Sequence, residues 1–180
     1  MPQWAVIVMI VGAVVLVGAL VAAGWYGWRA YERKLLLRLM GRLEAIEAAA
    51  QALIDAIGRL SEAPDDELEA FTEDANAPER RVLAEVRQRA HILYDELDHM
   101  SLPGRLIPIA EATADAAFVV AREAGCIEET DLGAQALDKL AQIDLEAVTG
   151  YVARARTTLG AMCAVCGLED TAVYGGGLYL

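Results

Sequence analysis

Apolar residues fall along this chain in two patterns, one continuous and one periodic. From residue 4 to residue 28 they are nearly unbroken Val, Ile, Leu, Ala and Gly, with no charged side chain. As a helix rising about 1.5 Å per residue, that run reaches roughly 36 Å, against a hydrocarbon core of about 30 Å. The pattern predicts an N-terminal transmembrane helix within residues 1–28. Trp4 marks one end, and Trp25, Tyr26 and Trp28 mark the other, where amphipathic rings favour the two membrane–water interfaces. A cleaved signal peptide would open on a basic segment, and "MPQWAVIVM" has neither Lys nor Arg.

The pattern then becomes periodic. Leu36, Leu39, Leu43, Ile46, Ala50, Leu53, Ile57 and Leu60 keep a spacing of three and four, which predicts a long amphipathic helix over 29–60. Met40 and Ile54 widen the stripe, which suits a helical bundle better than an autonomous coiled coil. Asn76 and Glu79 resemble a capping box ahead of a helix with core positions Leu83, Val86, Ala90, Leu93, Leu97 and Met100. Pro108 is placed to open a third helix, with Gly125 as its left-handed stop. Thr130 or Asp131 can cap a short helix running to Gln142. Asp144 can cap the last, with its seam at Leu145, Val148, Val152, Ala155, Leu159, Met162 and Cys166. No useful stretch alternates with period two, so no sheet is expected.

Charge orients these elements. Arg29, Arg33, Lys34, Arg38 and Arg42 all follow the apolar run, and no basic residue precedes it. The positive-inside rule then puts the short N-terminus outside and the C-terminal domain in the cytoplasm, at the cell membrane. Anionic headgroups would add about 1 kcal/mol per basic residue near the surface. Against Glu32, the segment 29–42 is net +4, so with −12 overall the remainder carries −16. Such an acidic domain repels nucleic acid, which excludes DNA- and RNA-binding roles.

The most acidic stretch, 61–79, holds eight carboxylates, two prolines and no basic residue. It lacks the glycine that a calcium loop of the EF-hand type needs, and reads as an acidic connector with one short helical turn at most.

Several residue groups carry candidate chemistry. Cys163 and Cys166 form a C-x-x-C on a helix, with Cys126 the only other cysteine. A structural zinc site needs four ligands, which would require His91 and His99 or a second chain. Packing in the core is the favoured reading, since a buried free Cys behaves as a small hydrophobe. Glu96 and His99 have the E-x-x-H spacing of carboxylate-bridged di-iron bundles, but His91 is preceded at the matching position by Gln88. In the apolar run, Gly18 with Ala22 and Ala19 with Ala23 make small faces suited to contact between membrane helices. No ionisable residue interrupts the run, which argues against transport. The tail "YGGGLYL" ends in Leu178, Tyr179 and Leu180, which offer a peptide ligand for a partner.

No phosphate-binding loop, nucleophile elbow, zinc-protease or haem-attachment motif occurs, so neither an enzyme nor a cofactor is expected. The expectation is an all-α protein: one N-terminal transmembrane helix followed by a cytoplasmic bundle of four or five helices. Its segments are an anchor over 1–28, a basic collar and long helix over 29–60, the acidic connector over 61–79, a bundle over 80–167 and a Gly-rich tail over 168–180. The expected role is a membrane-anchored interaction or scaffold protein, as an accessory subunit of a membrane complex. Its expected partners are membrane lipids, other membrane or cytoplasmic proteins, and further copies of itself. The alternative is a metal- or redox-responsive membrane sensor built on Cys126, Cys163 and Cys166.

Overall fold

Helix-forming sequence dominates the chain, and a computed structural model describes residues 3–128 and 130–166, with side chains described from residue 15 onward. Six helices occur among the described residues: α1 (Gln3–Glu62), α2 (Asp65–Glu73), α3 (Pro78–Asp98), α4 (Ile107–Ala124), α5 (Ala134–Leu140) and α6 (Leu145–Cys166). No strand is present among them, and the all-α class is as the missing period-two pattern predicts. The chain divides into two compact units, Met1–Leu37 and Arg38–Leu180.

In the first unit, residues 15–31 are exposed all round the helix. Among the described residues no helix is long and apolar enough to cross a membrane. Two things separate this from the predicted span. The first part of that span, residues 4–14, lies outside the described side chains. From residue 24 onward, Gly24, Gly27, the aromatic rings, Arg29 and Glu32 dilute the apolar character of the helix.

The second unit is a helical bundle. Leu39, Leu43, Ile46, Ala50, Leu53 and Leu60 are buried at the predicted seam, and Met40 joins them as the widened stripe requires. Ala49 and Ala56 are buried too. In α3 the buried set is Leu83, Val86, Ala90, Leu93 and Leu97, while Met100 lies past the helix end and is only half-buried.

Two contacts fix the direction of α4 against α3. Tyr94 and Phe118 pack with their rings tilted and their centroids 5.9 Å apart. Arg87 reaches Gly125, where a Cβ would come within 3.0 Å of its side chain. Earlier positions on α3 thus meet later positions on α4, so the two run antiparallel. Small residues Ala110, Ala112, Ala116, Ala117, Ala121 and Ala124 are all buried on α4, which lets α3 and α6 approach it closely. The last turn of α4 meets the start of α6, where the Glu123 carboxylate accepts the Asp144 amide at 2.9 Å.

Several local predictions are corrected. The stretch 61–79 is more than a connector, because α2 forms within it and buries Phe71 and Thr72. Asn76 does not cap α3. The N-cap is Ala77, since Pro78 occupies the first turn, and the Asn76 amide is taken by Asp74 Oδ1 at 2.8 Å. Neither Thr130 nor Asp131 caps α5, which starts after Gly133 and ends at Leu140. Gly125 stops α4 at φ −92°, not left-handed; glycine suits the site because a Cβ would crowd Ala121 O and Arg87. Asp144 does cap α6, accepting the Ala147 amide at 2.8 Å.

Candidate functional site

The predicted interface residues of the first unit form a self-contacting aromatic and basic girdle. Trp25 and Tyr26 meet edge to face at 5.6 Å, and the Arg29 guanidinium lies 4.7 Å from the Trp25 ring centroid. One turn further, Trp28 donates its indole N–H to Glu32 at 2.9 Å and packs beside Tyr31 at 6.3 Å. All four rings remain about half-exposed or more. Arg33 and Lys34 are exposed on the same unit. Gly18, Ala19, Ala22 and Ala23 are exposed, and a Cβ on Gly18 would meet nothing within 4 Å. Trp4, Leu178, Tyr179 and Leu180 lie outside the described side chains.

The cysteines and histidines are not brought together. Cys163 is buried at 1 % exposure, while Cys166 is half-buried, the reverse of the predicted seam. Burial pushes the Cys163 thiol up, and the neighbouring Cys166 adds to that. Cys126 is half-buried, with Sγ 3.5 Å from the Lys139 carbonyl. Its thiol is also raised, by burial first and then by the Glu123 charge. His91, His99 and Glu96 are exposed; His99 Nδ1 donates to the Asp95 carbonyl at 2.8 Å, and Glu96 pairs with Arg42 of α1. Among the described residues no three His, Cys, Asp or Glu side chains are grouped to hold a metal ion.

A junction that sequence periodicity does not reveal is centred on Arg80. Its side chain is buried and donates to three backbone carbonyls: Phe71 at 2.7 Å, Glu128 at 3.2 Å and Asp131 at 2.5 Å. The guanidinium also lies 5.1 Å from the Phe71 ring centroid. Asp131, 2 % exposed, accepts the Lys139 ammonium at 2.7 Å and the Glu128 amide at 2.6 Å through Oδ2. Those bonds, Lys139 first, hold its carboxyl below the usual carboxylate range and raise the Lys139 ammonium. Gly133, at φ 56° and ψ −131°, donates its amide to Thr72 O at 3.0 Å. A planar five-donor fork is the side chain that can serve three carbonyls from separate segments. The junction therefore ties α2, α3 and the loop before α5 together, and its groups are engaged with one another. Two adjacent arginines at a helix start, Arg80 and Arg81, carry no signal in the sequence that one of them turns inward.

Beside the junction, the end of α1, α2 and the start of α3 enclose a groove of about 510 Å³. Its lining includes Leu60, Ala63, Ala70, Phe71 and Ala77, with Glu62, Glu67 and Glu79 among its charged residues and Arg59 the single basic one.

No family model matches the chain, and no match is found among curated proteins or among solved structures.

Proposed function

We propose that the chain is a single-pass membrane-anchored helical scaffold whose bundle binds other proteins at the cytoplasmic face, as an accessory subunit of a membrane complex. The observation that carries this reading is the girdle around residues 25–34. Uncharged apolar sequence precedes it, and half-exposed Trp25, Tyr26, Trp28 and Tyr31 share it with Arg29, Arg33 and Lys34. Rings and cations in that order suit the level of anionic headgroups. Val15, Leu16, Val17, Leu20 and Val21 are exposed, and a lipid environment would cover them. The reading is of a binding role: among the described residues the buried charged side chains Arg80, Asp131 and Glu123 spend their bonds on the fold. No observation favours the sensor reading.

The test is extraction of native membranes with alkaline carbonate, followed by native mass spectrometry in mild detergent. Retention in the membrane pellet, with the mass of further subunits or copies, is the expected result. Release into the supernatant would remove the anchor, and a lone monomer would remove the scaffold. Labelling a cysteine placed beside Met1 from outside intact cells tests orientation, and protection from the reagent would reverse it.

A further inference from the structure

The groove between α1, α2 and α3 is lined by the apolar Leu60, Ala63, Ala70, Phe71 and Ala77 together with the carboxylates of Glu62, Glu67 and Glu79. Its volume of about 510 Å³ lies in the range of about 300–1,000 Å³ typical of binding sites, enough for one or two large side chains. Leu60, Phe71 and Ala77 are buried in the fold and fix its shape, whereas Ala70 and Pro64 are exposed.

Charge decides what kind of side chain enters. The eight carboxylates of 61–79 face no basic residue within that stretch. The ion pairs of Arg42 with Glu96, Arg122 with Glu123, Lys139 with Asp131 and Arg156 with Glu47 all lie elsewhere. Arg80, next in sequence, turns its guanidinium inward to carbonyls, which leaves Arg59 as the one basic residue of the lining against Glu62, Glu67 and Glu79. Three carboxylates against the single guanidinium of Arg59 leave the lining net negative, and a cation from another molecule is attracted there without breaking any bond in the fold.

We propose that this groove docks a short segment of a partner protein in which a large apolar side chain is flanked by Lys or Arg. The apolar side chain fills the space beside Phe71 and Ala70, and the flanking cations meet Glu62, Glu67 and Glu79. This deepens the scaffold reading and rests on it. Groove-based recognition of an apolar anchor with charged flanks is a common mode of peptide binding, and the acidic edge steers association in a salt-dependent way.

The test uses the full-length protein in nanodiscs to pan a phage-displayed library of random dodecamer peptides. Each enriched sequence is then measured as a synthetic peptide against wild type, the E67K/E79K double variant and Ala70→Trp, which narrows the groove from an exposed position. Circular dichroism confirms that each variant keeps its helices. The expected result is enriched peptides with Lys or Arg around a large apolar residue, with affinity about tenfold weaker in either variant and weaker at high salt. The proposal is overturned by the absence of enrichment, by peptides without that charge pattern, or by binding that neither variant changes. Peptides resembling residues 29–42 would also overturn it, by making a second copy of the chain the occupant. Carbonate extraction and native mass do not involve the groove, so a failed anchor or scaffold would be told apart from a failed groove.

Discussion

Arg156 on α6 grips Glu47 on α1 through both carboxylate oxygens, Nε at 2.8 Å and Nη2 at 2.7 Å. The fork geometry is the favourable one for such a pair. Yet the Arg156 side chain is 49 % exposed and that of Glu47 17 %, so solvent screens much of the attraction. Arg156→Ala is expected to lower unfolding stability by about 0.5–1 kcal/mol at low salt. Arg156→Lys should lose most of the same amount, because a point charge cannot bond both oxygens in plane. Urea titrations at low ionic strength and at about 1 M salt check this, since the difference should shrink as salt rises. Equal stability of wild type and Arg156→Ala at low salt would mean that the pair contributes nothing.

Arg80 should matter more, because its carbonyl partners are buried with it. Removing the guanidinium leaves the Phe71 and Asp131 carbonyls without their donor, at a cost of roughly 3 kcal/mol. Arg80→Lys should recover only part, since one ammonium cannot reach carbonyls of residues 71, 128 and 131 together. Chemical denaturation gives the magnitude. Hydrogen exchange localises the effect, because the Gly133 amide, bonded to Thr72 O, should lose protection ahead of the α3–α4 core. A variant whose Gly133 amide stays as protected as before would show that Arg80 does not tie α2 to the loop.

The contrast between α1 and this junction shows what was legible in the chain. The buried face of α1 from Leu36 to Leu53 and that of α3 from Leu83 to Leu97 follow directly from helical periodicity, since each residue's burial depends on its own helix's register. Asp144 was legible for a similar reason: a cap bonds an amide three residues away. Arg80 was not, because its partners lie 9, 48 and 51 residues distant. In α6 the step from Leu159 goes to Cys163, not to Met162, and moves Cys166 off the buried face. With 3.6 residues per turn, steps of three and four both stay near one face, so a single choice between them shifts the register by one position, and Ala-rich sequence gives little to fix it. The acidic composition of 61–79 concealed α2, whose burial rests on Phe71 and Thr72 alone.

The Asp131–Lys139 pair predicts a definite pH response. The carboxyl is lowered in the folded protein, chiefly by the Lys139 hydrogen bond, so its contribution is present above the unfolded value of about 3.9 and is lost as pH falls through the folded value. The ammonium is raised by the same bond, so its contribution is complete below the unfolded value of about 10.4 and is lost as pH rises through the folded one. Stability from this pair should therefore be level from about pH 5 to pH 9 and decline at both ends. Asp131→Asn should lower the melting temperature across that plateau and approach wild type at acid pH. A constant offset between the two proteins down to about pH 2 would remove Asp131 as the titrating group.

Cys163 separates the core-packing role from the sensing one. Its side chain is 1 % exposed and its thiol is raised by burial, so the reactive thiolate is scarce in the folded protein. Iodoacetamide at about pH 7.5 should modify Cys163 only as fast as the bundle opens, and at once in denaturant. Cys163→Ala should cost about 1 kcal/mol for the lost sulfur contacts. Cys163→Ser should cost more, roughly 1–2 kcal/mol, because a hydroxyl would be buried in place of the thiol. A sensor would behave in the opposite way, with Cys163 reacting in the folded state, or with zinc raising the melting temperature of wild type and not of Cys163→Ser. Mass spectrometry of the alkylated protein together with melting curves with and without zinc therefore decides between a thiol that packs and a thiol that binds.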